Sequence, residues 1–277
     1  MQNYSVLMTV YQKDNPDFVK LSIDSMLNQT VKTDDFVLVC DGPLTLELTD
    51  LIDKYKQSNP SLFNVIYLKE NVGFGKALKT GLIECKNELI ARMDDDDISI
   101  NARCEKQLEL FNRFPQLSLI GSYMDEFEDD YNNPIRIKEV PCDYSEIKKY
   151  ARRRNPFNHS SVMFKKSAII AVGNYSEMRT NQDIELWMRF LNNGFVGYNI
   201  PESLVLFRFD KNTYKRRKEW KNIKLMIDVW KGFRKNKYCS YSDYLFVYWS
   251  QIAIFLMPSF ILKWLYKKNR KSKNGKH

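Results

Sequence analysis

Through the first hundred residues, short apolar runs alternate with stretches whose apolar positions recur at helical spacing. "YSVLMTV" (4–10) predicts a buried strand, and Pro16 then opens a segment with Val19, Ile23, Met26 and Leu27 on one helical face. "DFVLVCD" (35–41) predicts a second strand, followed by an amphipathic stretch around Leu48, Leu51, Ile52 and Tyr55. "FNVIYL" (63–68) is a third strand, "GKALKTGLIEC" a helix and "ELIARM" a fourth strand. Continuous apolar strands joined by helical crossovers imply a parallel sheet covered on both faces.

Beyond residue 100 the pattern changes. A helix over 101–114 leads to "LSLIGSYMDEF" and "IRIKEV", which predict a mixed-sheet extension around the polar turn "DDYNNP". "NPFNHSSVMF" (155–164) follows, and "GNYSEMRTNQDIELWMRFLNNG" (173–194) sets Ile184, Trp187, Met188 and Leu191 on one helical face. "LVLFRF" (204–209) closes the body, with no internal repeat and no low-complexity linker.

A chain of 277 residues, 44% hydrophobic, can bury a full core and is not a disordered polymer. Its five cysteines are scattered, without a C-x-x-C pair, so neither a disulfide framework nor a zinc site is indicated. With two histidines, any metal chemistry must rest on carboxylates. The start, "MQNYSVLMTVYQ", lacks the basic segment and apolar core of a signal peptide, so the active domain is expected on the cytoplasmic side.

The net charge of +9 is unevenly spread. Residues 1–210 hold 25 Lys and Arg against 31 Asp and Glu, whereas residues 211–277 hold 18 against 3. An acidic body with a basic tail predicts that the tail meets an anionic surface.

Ligands of open parallel sheets bind beyond the carboxyl ends of the strands. That rule gathers Thr9 and Tyr11, Asp41, the Asn71–Lys76 segment and Asp94 to Asp97 on one edge. Four adjacent carboxylates repel one another unless water screens them or a cation neutralises them. At this edge a divalent cation would neutralise both the acids and a diphosphate, and hard oxygen ligands suit Mg²⁺ or Mn²⁺. "NVGFGKALKTGL" has Gly73 and Gly75 before a helix, where backbone could approach a phosphate and Lys76 could meet it; a plain turn and helix start explains the same residues. It matches neither a Walker pattern nor G-x-G-x-x-G. Asp183 opens an amphipathic helix, a position that suits a helix cap as well as a general base.

Taken together, "SVLMTVYQ", "VCDG", "NVGFGKALKTGL", "ARMDDDDIS" and "NQDIELWMR", in this order over residues 4–210, resemble glycosyltransferases of family 2. The resemblance implies an α/β fold: a single Rossmann-like nucleotide-sugar transferase domain (GT-A) with a mixed central sheet. Residues 1–210 would form it, with donor binding in about 1–100 and the acceptor side in about 101–210. It implies that Thr9 and Tyr11 hold the nucleoside, that Asp41 holds the base or ribose, and that Asn71 and Lys76 serve the donor site. Its metal-binding D-x-D maps to Asp94 and Asp96, with Asp95 in the variable middle position. The register is open by one residue, and Asp96 is the ligand common to the alternatives. Asp183 takes the place of the catalytic base, with Glu185 as fallback on another helix face. The family's usual Glu-Asp is here Gln182-Asp183, so the acid before the base is lost. Asp97, Asn158, His159 and Gln182 are the expected substrate or acceptor contacts, although a lone His is more often structural. The Q-x-x-R-W pattern of processive synthases is absent, "KRRKEW" (215–220) lacking the Gln, which favours addition of a single sugar.

"YLFVYWSQIAIFLMPSFIL" (244–262) carries no charge over nineteen residues, a length bordering on a membrane span. Basic clusters flank it on both sides, so one crossing would export positive charge, against the usual orientation rule. An interfacial helix or re-entrant hairpin bent at Pro258 fits better, with Tyr244, Phe246, Tyr248, Trp249 and Trp264 at headgroup level. The competing expectation is a buried pair of C-terminal helices.

These features predict an inverting, metal-dependent enzyme at the cytoplasmic membrane face. It would move one sugar from a UDP donor to a lipid-linked oligosaccharide during surface-polysaccharide assembly, while residues 211–277 bind anionic membrane. Two alternatives are a sugar-nucleotide nucleotidyltransferase, disfavoured because no phosphate-gripping Gly-rich loop lies near the N-terminus, and a nucleic-acid-binding protein using residues 211–237. The acidic body argues against nucleic acid as a partner.

Overall fold

The computed structural model describes residues 2–209, 218–258 and 261, and the backbone of 271–272. At its centre lie four parallel strands, β1 (Tyr4–Val10), β2 (Asp35–Cys40), β3 (Phe63–Tyr67) and β4 (Leu89–Arg92), in the spatial order β4-β1-β2-β3. Helices α1 (Pro16–Leu27), α2 (Leu46–Ser58) and α3 (Phe74–Glu84) connect them. The side chain of Asn15 caps α1 just before Pro16, and Thr45 caps α2.

Every residue of β1 and β2 is buried, because successive side chains enter different cores. Leu7, Val37 and Val39 join one apolar cluster with Leu78, Leu82 and Trp187, while Val6, Met8 and Leu38 join another with Val19, Ile23 and Ile52. The two-faced covering expected from the apolar runs is therefore present.

The second half extends the sheet with mixed polarity. It contains β5 (Ile98–Ser99), α4 (Arg103–Arg113), β6 (Leu117–Phe127), β7 (Arg136–Lys138), α5 (Tyr144–Ala151), a 3₁₀ turn (His159–Ser161), β8 (Met163–Lys165), α6 (Lys166–Ala171), α7 (Gln182–Asn192) and β9 (Val196–Arg208). Strand β8 runs antiparallel between β4 and β6, and β7 lies antiparallel on β6 further along. The other edge of β6 carries β9 in parallel, and β9 returns to pair with β5 just after the acidic run. The strand expected at 204–209 is thus the second half of a longer one. Gly197 and Pro201 interrupt its local pattern, and the register against β6 shifts at both places, between Leu117 and Leu119 and again around Tyr123.

After residue 217 come α8 (Trp220–Lys235), α9 (Tyr241–Leu256) and β10 (Lys271–Ser272), the last antiparallel to β7. Val229, Trp230 and Phe233 of α8 join the Trp187 cluster, and Trp230 Nε1 donates to the Arg152 carbonyl at 2.8 Å. A reciprocal Ser240–Asp243 capping box starts α9. The expected buried helix pair therefore holds for one face of each helix: Val247 of α9 joins the same cluster with Tyr244 packed against it, while the other face of α9 leaves Trp249 64% and Leu256 72% exposed. Among the described residues no helix is long and apolar enough to cross a membrane. The apolar helix stops at Leu256, ahead of Pro258. Lys215 to Arg217 of the first basic flank, Trp264 and most of the second flank lie outside the described residues.

Candidate active site

The acidic run follows β4 directly, and three of its four carboxylates meet three different partners. Ser22 Oγ donates to the Asp94 carbonyl at 2.6 Å, fixing the turn against α1. Asp94 receives a hydrogen bond from the Arg92 guanidinium, whose side chain is almost wholly buried and lies over the Phe74 ring. The Arg92 Nε and Nη1 have no hydrogen-bond partner among the described residues. Asp95 turns to Asp14, and the two carboxyl groups share a hydrogen bond; burial raises both, aided at Asp14 by repulsion from Asp96 and Asp94, which leaves it at about 7, and at Asp95 by repulsion from Asp14. Asp96 is pushed up to about 6 by burial and then by Asp94, partly offset by Arg92. Asp97 is fully buried, and its Oδ1 accepts from the Arg208 backbone N–H at 2.9 Å.

Asp97, expected as a substrate contact, is buried in the structure and fastens β9 to the end of the acidic run. Arg208 completes the fastening, with Nε donating to the Asp96 carbonyl at 3.1 Å.

A cleft of about 250 Å³ opens beside Asp94. Its walls include Phe74 at the start of α3, Asn155 and His159, Gln182 and Asp183 at the start of α7, and Lys138 from β7. Four of the expected residues, Asp94, His159, Gln182 and Asp183, thus meet around one space although they are scattered over ninety residues of sequence.

Asp183 sits in the first turn of α7, after Asn181 in the left-handed region at φ 62°. Its Oδ2 accepts from Asn155 Nδ2 at 2.5 Å. Burial holds its carboxyl above the usual range, while the Ile184 N–H, Asn155 and Arg92 pull the other way. Glu185 is unavailable as an alternative base. Arg189 clamps both of its oxygens at 2.7 Å, and Arg189 is itself fixed on the Asn174 carbonyl at 2.8 Å.

His159 Nε2 lies 3.0 Å from the Tyr175 hydroxyl, and Phe74 and Trp187 surround the ring edge-on. Burial and then Arg92 depress its pKa well below the usual value, so a neutral imidazole borders the cleft. Asn158, expected as a further contact, is 1% exposed, and its Nδ2 donates to the Ser122 carbonyl at 2.9 Å. It ties the turn to β6 rather than lining the cleft. Gln182 is buried with Oε1 lacking a hydrogen-bond partner among the described residues.

Further along the sheet edge, Thr9 is buried near the end of β1, and Tyr11 is partly exposed beyond it. Asp41 organises the 71–73 loop: Oδ1 accepts from Val72 N at 2.8 Å, and Oδ2 accepts from Gly73 N and Asn71 Nδ2, each at 3.0 Å. For Gly75 the structure gives a packing reason of its own. A Cβ on Gly75 would lie 2.2 Å from the Ser176 carbonyl oxygen and 2.6 Å from that of Met178, so its small size admits protein backbone. Lys76 is exposed on the first turn of α3 and does not line the cleft.

Three residues were missed from sequence. Asn155 and Arg92 stood inside noted stretches, but no local pattern showed that one would hold Asp183 and the other Asp94. Arg179 also lay inside a noted stretch, 173–194, without a pattern to give its partner; its Nη1 donates to Asn71 Oδ1 at 2.9 Å, linking the segment before α7 to the loop after β3.

The donor set fits a hard divalent cation in part. Among the described residues Asp96 carries no side-chain ion pair of its own, and Asp94 keeps one oxygen beyond the Arg92 contact. Among the described residues no three His, Cys, Asp or Glu side chains converge as a complete metal cage. A cation here would take its remaining ligands from phosphate and water, as Mg²⁺ and Mn²⁺ commonly do.

Comparison with known proteins shows the family and the fold. The family model for Glycosyl transferase family 2 matches residues 5–177. The chain is 36% identical over 267 residues to an Escherichia coli UDP-Gal:alpha-D-GlcNAc-diphosphoundecaprenol beta-1,3-galactosyltransferase, covering 96% of this chain and 95% of that protein. It is 31% identical to the amylovoran biosynthesis glycosyltransferase AmsE of Erwinia amylovora, over 97% and 99% of the two lengths. Among solved structures, the mannosyltransferase PcManGT of Pyrobaculum calidifontis, in complex with GDP-Man and Mn²⁺, superposes with a TM-score of 0.66 at 12% identity, covering 97% of this chain and 75% of that one. Residues 1–349 of S. aureus TarS, in complex with UDP-GlcNAc, superpose with a TM-score of 0.62 at 15% identity, covering 82% and 65%. At such identities these two structures bear on the fold alone.

Proposed function

The chain belongs to glycosyl transferase family 2, and from that premise we propose that it transfers one sugar, with inversion, from a UDP-sugar to a hydroxyl of a lipid-linked saccharide in surface-polysaccharide assembly. The observation that carries this is the convergence of Asp94 and Asp183 on one cleft, the first at the end of the acidic run and the second held by Asn155. The relatives' names support the donor and acceptor classes: one is named for UDP-Gal and a diphosphoundecaprenol-linked GlcNAc, another for amylovoran biosynthesis.

In this scheme the acceptor oxygen attacks the anomeric carbon, the bond from that carbon to the diphosphate oxygen breaks, and the acceptor proton passes to Asp183. Asn155 orients the carboxylate, and the neighbouring apolar rings Phe74 and Phe157 reduce water in the cleft. Asp96 and Asp94 would hold Mn²⁺ or Mg²⁺, which when bound offsets the charge gathering on the departing diphosphate. Buried Arg92 adds a fixed positive charge beside Asp94. Thr9, Tyr11, Asp41 and Asn71 border the place for the nucleoside, with Asp41 acting chiefly by shaping the 71–73 loop. The membrane-facing part of the proposal falls to residues 211–277.

The test is thermal stabilisation by UDP, GDP and dTDP, with and without Mn²⁺, in the wild type and Asp96→Asn. A ligand that prefers the native state raises its stability with concentration. UDP with Mn²⁺ should stabilise the wild type and not the variant. Stabilisation by no nucleotide in a folded wild type would remove the donor site.

A further inference from the structure

The strand of chain that leaves α5 carries Arg152, Arg153 and Arg154 and then becomes Asn155, the residue that holds Asp183. These three arginines, with Lys149, border a second cavity of about 640 Å³, whose far wall is Asp243 and Phe246 of α9. Glu146 and Asp243 are the acids in that lining, so the cations outnumber them. Arg153 is already used: its Nε donates to Asp243 at 2.6 Å, and its guanidinium lies over Phe246. Arg154 lies over the Tyr150 ring. Lys149 and Arg152 are exposed and form no ion pair among the described residues. An adjoining cavity of about 1050 Å³ shares Arg152 and adds Lys231, Lys235 and Lys237 of the α8 end.

A concave surface with uncompensated Lys and Arg attracts a multiply charged anion, and guanidinium groups match phosphate oxygens in geometry. Two further features narrow the anion. The cavity rim continues into α9, where Phe246 and Trp249 are exposed, a surface suited to hydrocarbon. In the other direction, Arg154 is the immediate neighbour of Asn155 in the cleft wall, and successive Cα atoms are about 3.8 Å apart. An anionic group here would lie between an apolar helix and the place where the acceptor hydroxyl reacts.

We propose that this cavity binds the diphosphate of a saccharide-diphosphate-lipid acceptor. Lys149, Arg152 and Arg154 contact its phosphate oxygens, and the aromatic side of α9 lies along the start of the lipid chain. This inference rests on the lipid-linked acceptor proposed above and adds the site that reads its headgroup.

The experiment uses the full chain and farnesyl diphosphate as the probe, below its micelle concentration, with farnesol, inorganic pyrophosphate and phosphatidylglycerol vesicles as separate arms. Farnesyl diphosphate should bind saturably, at least about tenfold tighter than either farnesol or pyrophosphate. The triple variant Lys149→Gln, Arg152→Gln, Arg154→Gln should lose about tenfold or more in that affinity, and Arg152→Lys with Arg154→Lys should retain most of it. Stabilisation by UDP and Mn²⁺ should be the same in all of them, which reports an intact fold and tests the donor site separately. Equal farnesyl diphosphate binding by wild type and triple variant overturns the proposal. Pyrophosphate binding as tightly as farnesyl diphosphate also overturns it, in favour of a free-phosphate site, as does a loss confined to the vesicle arm, in favour of bulk lipid.

Discussion

Asn155 donates from Nδ2 to Asp183 Oδ2 at 2.5 Å, so an amide on the loop after α5 fixes the carboxylate at the start of α7. The donation favours the charged form, while burial disfavours it and leaves the carboxyl raised overall. A base must be deprotonated to act, so the acidic limb of kcat/KM should lie above the ordinary carboxylate range. In Asn155→Ala that limb should move up by roughly 1 to 2 pH units, the equivalent of one hydrogen bond to a charged group. A pH–rate profile of the two proteins checks it; an unmoved limb would detach Asn155 from the base.

Asp183→Asn should lower kcat by about 10²–10⁴-fold while stabilisation by UDP and Mn²⁺ is retained. Glu185→Gln should keep kcat within about twofold, because Arg189 occupies both Glu185 oxygens; its cost is stability, about 1 kcal/mol in urea unfolding. Single-turnover kinetics of both variants would decide between the two acids, and reversal of the pattern would move the base to Glu185.

Buried Arg92 faces Asp94, which is partly exposed. Arg92→Met should leave the acidic run without its nearest cation and cost about 2–3 kcal/mol, less than a wholly buried pair because water reaches Asp94. Urea unfolding at neutral pH measures the loss. Mn²⁺ should restore part of it, since a cation bound at the same carboxylates takes over the neutralisation.

Gly75→Ala tests how α3 meets the segment before α7. The added methyl meets two carbonyl oxygens at 2.2 and 2.6 Å, neither on a flexible side chain. The substitution should destabilise the protein by about 1–3 kcal/mol and raise amide exchange in 176–182 more than in β1. Exchange unchanged in 176–182 would show that the two segments do not need this approach.

The sequence by itself determined the layered half of the molecule. Runs such as Tyr4–Val10 and Asp35–Cys40 are apolar on both alternating faces, a pattern satisfied by a sheet covered on both sides. Once those strands are parallel, their carboxyl ends share an edge, so Thr9, Asp41 and the acidic run had to be neighbours in space. The amphipathic period of α7 likewise placed Trp187 and Leu191 in the core. What only the tertiary structure decided is where polar side chains point. Adjacent aspartates look alike in sequence, yet Asp94 meets Arg92, Asp95 meets Asp14 and Asp97 meets the Arg208 backbone. Asn155 and Asp183, twenty-eight residues apart, become partners because α5 and α7 pack together, and Gly75 became a packing site through contact with 176–178. Apolar periodicity is a local property, repeated along the chain and read by summing over a window. A hydrogen bond between distant residues depends on one rotamer and a few tenths of an ångström, which only the packed chain supplies.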